Sequence, residues 1–218
     1  MKKILLSIVL LLAIVISVVS CNKKDPTPPE VTTPDSQQTT EGNTQENPKT
    51  IWETLQELSQ QKYSKVKLYI KTVTGDIELN ANYTLTNTNV TYSVEQLNLL
   101  PPDGDLTNVS QNYKTTLSGT ATIKNGKVDK FDGEVVNIPL YDELKGTFNF
   151  KESNFKNIKM ENGKLIADVT SVSDFMGTSK NLSNMKIVVT YNDTALQKLE
   201  ITYNTTNSTV TTVYEFTK

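Results

Sequence analysis

Between residues 77 and 86 the side chains alternate without a break. Ile77, Leu79, Ala81, Tyr83 and Leu85 are separated by Glu78, Asn80, Asn82, Thr84 and Thr86. Successive side chains of an extended chain point to opposite faces, so this order puts every apolar group on one side and every polar group on the other. A helix would scatter the same residues around its circumference. The segment is therefore expected to be a strand with one face buried and one face wet, as antiparallel sheets allow.

The same rhythm recurs along the rest of the chain. In 65–71, Val66, Leu68 and Ile70 alternate with Lys65, Lys67, Tyr69 and Lys71, and Thr74-Gly75-Asp76 reads as a turn into the strand just described. Asn87-Thr88-Asn89 leads to Val90, Tyr92 and Val94. After a loop holding Pro101-Pro102-Asp103-Gly104, the alternation resumes at Tyr113, Thr115, Leu117, Gly119, Ala121 and Ile123. Asn125-Gly126 and Asn162-Gly163 are hairpin signals, because both central residues of a tight two-residue turn need positive φ. They set a strand over 128–136 after the first, and a pair over 155–160 and 165–169 around the second. Met185, Ile187, Val189 and Tyr191, then Leu199, Ile201 and Tyr203, then 210–216 complete the set. Segment 172–183 reads either as a short helix or as a loop carrying Phe175 and Met176.

One helix precedes the strands. Thr50 and Glu53 have the spacing of a capping box, in which each side chain satisfies the other residue's backbone N–H. Ile51, Leu55 and Leu58 recur at helical spacing, Trp52 widens that face, and the helix is expected to end near Gln61 to Tyr63. The expected fold is mainly β (α+β): this amphipathic helix, then about nine to eleven strands in a curved antiparallel meander, closing as a half-barrel or barrel. A β-sandwich is the alternative.

The N-terminal part has a different composition. Lys2 and Lys3 precede an apolar run from Ile4 to Val19, broken by Ser7 and Ser17, and the run ends at Val18-Val19-Ser20-Cys21. The polar sequence Asn22-Lys23-Lys24-Asp25 follows at once. These residues resemble the lipobox of bacterial lipoproteins, in which aliphatic and small residues precede a Cys. That resemblance implies cleavage between Ser20 and Cys21 and acylation of the Cys21 thiol, here with palmitate-type chains. Val18 stands where Leu is commoner. An uncleaved signal anchor is the competing reading of the same run. Two acyl chains anchor a protein stably where one does not, at about 0.8 kcal/mol per buried CH₂. From 22 to 49, Pro26, Pro28, Pro29, Pro34 and Pro48 stand among polar residues, with Val31 as the one large apolar side chain. Such a stretch cannot bury enough surface to offset its ordering entropy. The division is thus a signal peptide over 1–20, a lipidated Cys and tether over 21–49, and a single β-rich domain over 50–218.

Composition removes several chemistries. There is no His, one Cys and, among the 22 basic residues, no Arg. A Ser-His-Asp triad, a Cys-His dyad, an internal disulfide, a Cys/His zinc cage and a bidentate Arg clamp are all excluded. A net charge of −2 gives no reason to expect a nucleic-acid partner. The remaining motifs are thin. The loop from Asp103 through Asp105 to Asn108 alternates oxygen groups but has Asn108 and Lys114 where an EF-hand needs Gly and Glu. Asp129, Asp132 and Glu134 flank a turn; Asp142 and Glu143 are adjacent and do not fix the separation a glycosidase pair requires. Ser153 and Lys156 match a Ser-x-x-Lys spacing in a Lys-rich chain. None is assigned as catalytic or metal-binding, and no cofactor is expected.

A capped helix after a tether, followed by long strands, is similar in pattern to the periplasmic lipoprotein carriers and their lipid-anchored relatives. The residues in question are Ile51-Trp52-Glu53-Thr54-Leu55 and the closing strands Lys198-Leu199-Glu200-Ile201-Thr202-Tyr203 and Val213-Tyr214-Glu215-Phe216. The resemblance implies a curved sheet around a helix-plugged cavity for acyl chains. The Arg that the soluble carriers place inside the sheet has no counterpart in this chain. The expectation is a lipid-anchored, extracytoplasmic, non-enzymatic binding protein on the cell membrane or outer membrane, holding a lipid or other apolar molecule. The alternative is a structural or adhesive surface module for a protein or glycan.

Overall fold

The computed structural model describes residues 50–98, 113–144, 147–178 and 181–218. The leader, the tether and the 101–108 loop motifs lie outside the described residues.

Helix α1 (Ile51–Ser59) begins at Thr50, whose side chain accepts from the Glu53 N–H while the Glu53 carboxylate accepts from the Thr50 N–H. It ends earlier than its apolar spacing suggests. The amides of Gln60 and Gln61 turn inward to the carbonyls of Glu57 and Leu58, which tightens the last turn and releases the chain. Five strands follow: β1 (Lys65–Thr74), β2 (Ile77–Leu85), β3 (Asn89–Asn98), β4 (Tyr113–Lys124) and β5 (Lys127–Gly133). A connector carrying the short helix α2 (Tyr141–Leu144) and a 3₁₀ turn (Glu152–Asn154) leads to the second set. That set is β6 (Phe155–Glu161), β7 (Lys164–Val169), helix α3 (Val172–Met176), β8 (Ser183–Tyr191), β9 (Leu196–Asn204) and β10 (Thr209–Thr217).

All ten strands belong to one antiparallel sheet, in the order β5-β4-β3-β2-β1-β10-β9-β8-β7-β6. The alternation at 77–86 lies on β2, where Leu79, Ala81, Tyr83 and Leu85 are buried. Both Asn-Gly turns take the positive φ that their sequence calls for, with Asn125 at 54°, Gly126 at 70°, Asn162 at 52° and Gly163 at 71°.

The expected class, mainly antiparallel β, holds, while four finer expectations need correction. The sheet does not close into a barrel, since β5 and β6 are its two free edges. It is not a sandwich either, because the described strands form one layer. Nor is it a plain meander: β5 does not pair with β6, and the first and last strands, β1 and β10, join in the centre over nine residue pairs. The reason lies in the connector, which carries Val136, Ile138, Tyr141, Leu144, Phe148 and Phe150, all buried. These side chains cover the inner face, so its apolar groups leave water without edge closure. The strand expected over 128–136 also stops at Gly133, where φ is 110°.

One continuous core takes in α1, the connector and the inward residues of β1–β4 and β7–β10. Ten flat strands would be more than 40 Å wide, at about 4.8 Å each. A nine-residue helix is about 13 Å long. A single core of this kind requires the sheet to curl around its contents, as strand twist favours.

Candidate functional site

The inner face of the curled sheet has two unlike halves. Over β6–β10 it is filled by aromatic rings. Trp52 of α1 stacks on Phe155 with centroids 4.7 Å apart. Phe155 meets Phe175 of α3 edge-on at 5.2 Å, Phe175 lies 5.6 Å from Phe150, and Phe148 meets Tyr214 of β10 at 5.2 Å. Backbone bonds hold this cluster in place: the Phe150 N–H donates to the Gln56 side-chain oxygen at 2.7 Å, and the Asn149 N–H donates to the Phe175 carbonyl at 2.8 Å.

At the opposite end of α1, two phenols lock the connector to the sheet. The Tyr63 hydroxyl donates to the Leu58 carbonyl at 2.9 Å and accepts from the Leu196 N–H at 2.8 Å. The Tyr141 hydroxyl accepts from the Tyr63 N–H at 2.7 Å and donates to the Tyr63 carbonyl. Desolvation raises the Tyr63 pKa, with the Leu196 N–H opposing it.

Over β1–β3 the inner face differs. Its apolar residues are as deeply buried, yet three oxygens there have no hydrogen-bond partner: Thr72 Oγ1, Tyr83 Oη and Gln96 Oε1. Their residues are 2 %, 2 % and 4 % exposed. An unsatisfied buried polar atom is uncommon and costs about 1–3 kcal/mol. The register places two of them in one row. Gln96 of β3 faces Leu79 of β2, Leu79 faces Thr72 of β1, Thr72 faces Val210 of β10, and Val210 faces Tyr203 of β9. Thr72 and Gln96 are thus two strand spacings apart, about 10 Å between backbones. Tyr83 stands four residues along β2 from Leu79, about 13 Å further. Burial alone pushes its phenol well above the usual tyrosine range. Tyr203, which hydrogen-bonds Thr212, is pushed up to about 12 by the same desolvation. Among the described residues, no Lys, Asp or Glu is buried.

A concavity lies outside the sheet, beside α1. It is an open groove of about 500 Å³ between α1 and the connector, with Trp52 and Phe150 in its floor and Glu53, Lys151 and Glu152 at its rim.

The residues singled out in the sequence do not come together as a site. Ser20 and Cys21 lie outside the described residues. The Glu134 carboxylate accepts from the Ser118 N–H at 2.9 Å and so fastens the end of β5. Glu143 accepts from the Leu140 N–H, which starts α2, while its neighbour Asp142 approaches the Asn125–Gly126 turn. The Ser153 carbonyl, not its hydroxyl, takes a bond from Thr170. Among the described residues no group of three or more Asp, Glu, Cys or His could hold a metal ion. The unpartnered oxygens were not legible beforehand: Thr72 and Gln96 are polar residues at inward positions, but only the sheet's covering shows that they are sealed from water. In comparisons with known proteins, no family model matches the chain and no curated protein matches it.

Proposed function

We propose that this chain is a lipid-anchored extracytoplasmic lipoprotein whose β domain is a non-enzymatic binding module for an apolar molecule. The anchor reading rests on the sequence: a basic start, an apolar run and Val18-Val19-Ser20-Cys21, followed by a tether without core residues. The binding reading is carried by one observation. The sheet has both edges free, and among the described residues its inner apolar side chains are covered by α1, the connector and α3. A sheet whose outer strands are not joined by a closed hydrogen-bonded ring can open and reclose around a guest. The alternative, an adhesive module for a protein or glycan, is supported by the groove beside α1, which offers aromatic floor and charged rim to the outside.

Two measurements on the full chain test the proposal. Expressed in a bacterial host, the wild type incorporates labelled palmitate and Cys21→Ser does not; label retained in the variant would sink the anchor assignment. Organic extraction of the purified protein recovers a stoichiometric apolar compound. A clean extract, together with failure to take up any apolar probe, would favour the adhesive reading.

A further inference from the structure

We infer that the inner face of β1–β3 is a subsite for the uncharged, hydrogen-bonding part of an otherwise apolar ligand, with Gln96 and Thr72 as its specificity-determining residues. The inference rests on the binding reading above and adds to it the chemical class of the guest.

Three features carry it. The first is the orphaned state of Thr72 Oγ1, Tyr83 Oη and Gln96 Oε1 on neighbouring strands of one buried face. The Tyr63 and Tyr141 phenols at the end of α1 each both donate and accept, so buried hydroxyls of this core do find partners where the protein supplies them. Gln61 Oε1 beside those phenols is unpaired too, but only on β1–β3 do three such oxygens share one buried face, and their unmet bonds point to partners that the protein itself does not supply. The second is the handedness of each group. The Gln96 Nε2 already donates to the Asn98 side-chain oxygen at 2.9 Å, so what Gln96 offers inward is an acceptor. Thr72 and Tyr83 offer hydroxyls, which can donate. A matching guest carries a hydroxyl for Gln96 and a carbonyl or ether oxygen for Thr72 or Tyr83. The third is charge. Without a buried cation, and with no Arg anywhere in the chain, a carboxylate or phosphate would enter this face uncompensated. The guest's polar part is therefore neutral.

Three probes with one acyl chain separate these requirements. Monoolein has hydroxyls and an ester carbonyl, methyl oleate keeps only the carbonyl, and oleate is anionic. Binding to delipidated full chain is read by native mass spectrometry and by equilibrium dialysis of labelled probe. Monoolein is expected to bind about tenfold more tightly than methyl oleate or oleate, the difference that one buried acceptor satisfied or left empty makes. Gln96→Leu should bring monoolein down to the methyl oleate level and leave methyl oleate unchanged. Thr72→Val should weaken both esters. Thr72→Val replaces an orphaned hydroxyl by a methyl and Gln96→Leu gives up only the part-buried bond to Asn98, so folding is expected to survive; Tyr83→Phe, which deletes only a hydroxyl, is the fallback. Equal binding of all three probes, or monoolein affinity untouched in every variant, overturns the subsite and leaves the apolar-carrier reading standing. If no probe binds the wild type, the carrier reading itself fails and takes the subsite with it, the orphaned oxygens then being hydrated by enclosed water.

Discussion

Removing one oxygen from Tyr141 tests how the connector is held. The Tyr141 hydroxyl sits between the N–H and the carbonyl of Tyr63, 78 positions earlier in the chain, and satisfies both. Tyr63 is 4 % exposed and Tyr141 9 %, so water cannot readily replace the phenol. Tyr141→Phe keeps the ring and its packing but leaves two buried backbone groups unpaired. Each such loss costs about 1–3 kcal/mol, and the two share one small space in which a single water could recover part of it. The expected destabilisation is about 2–4 kcal/mol. For a domain of this size each kcal/mol lowers Tm by about 2–4 °C, so the melting point should fall by roughly 4–16 °C. Urea unfolding followed by tyrosine and tryptophan fluorescence gives the same quantity at constant temperature. The midpoint should move while the slope stays as in the wild type, because the area exposed on unfolding is unchanged. A loss below about 0.5 kcal/mol would mean that the connector is not fixed at this point and that its apolar residues alone hold it on the sheet.

Two further outcomes follow from burial. Leu55 is fully buried between α1 and the sheet, and Leu55→Ala should cost about 2–5 kcal/mol in the same urea assay, the range for leaving a cavity in a packed core; a cost under 1 kcal/mol would show that α1 is not packed against the sheet as described. The second concerns alkaline pH. Tyr203 is held at about 12 and Tyr83 is raised by burial, whereas in the unfolded chain both ionise near their ordinary value of about 10. Above pH 10 the unfolded chain binds fewer protons than the native one, so stability present below pH 10 is lost as pH rises. Each phenol contributes a slope of about 1.4 kcal/mol per pH unit between 10 and 12, and Tyr203→Phe should reduce the slope by its share. Melts at pH 8 to 11.5 that show no decline, or the same decline in Tyr203→Phe, would contradict the burial of these phenols.

Much of the fold was written in local pattern. The β2 alternation, the two Asn-Gly turns and the Thr50–Glu53 box act over distances of a few residues, so neighbouring side chains were enough to specify them. The limit of β5 was misjudged for the opposite reason. Apolar spacing continues past Gly133, but the chain there is held by a bond to a partner remote in sequence, from the Ser118 N–H to the Glu134 carboxylate.

What the sequence determined by itself was therefore face and period: which side of each strand is dry, where the hairpins turn, and where a chain without core residues gives way to one that can fold. Strand order was beyond it. Side-chain alternation is the same whether β5 meets β6 or β1 meets β10, because period two records a strand's faces and carries no label for its neighbour. That choice was made at the tertiary level, where the buried aromatic and aliphatic side chains of the connector join the one core and the two outer strands stay unpaired. The unpaired oxygens of β1–β3 belong to the same level of organisation, for an inward Thr, Tyr or Gln becomes an orphan only after distant parts of the chain have shut the water out.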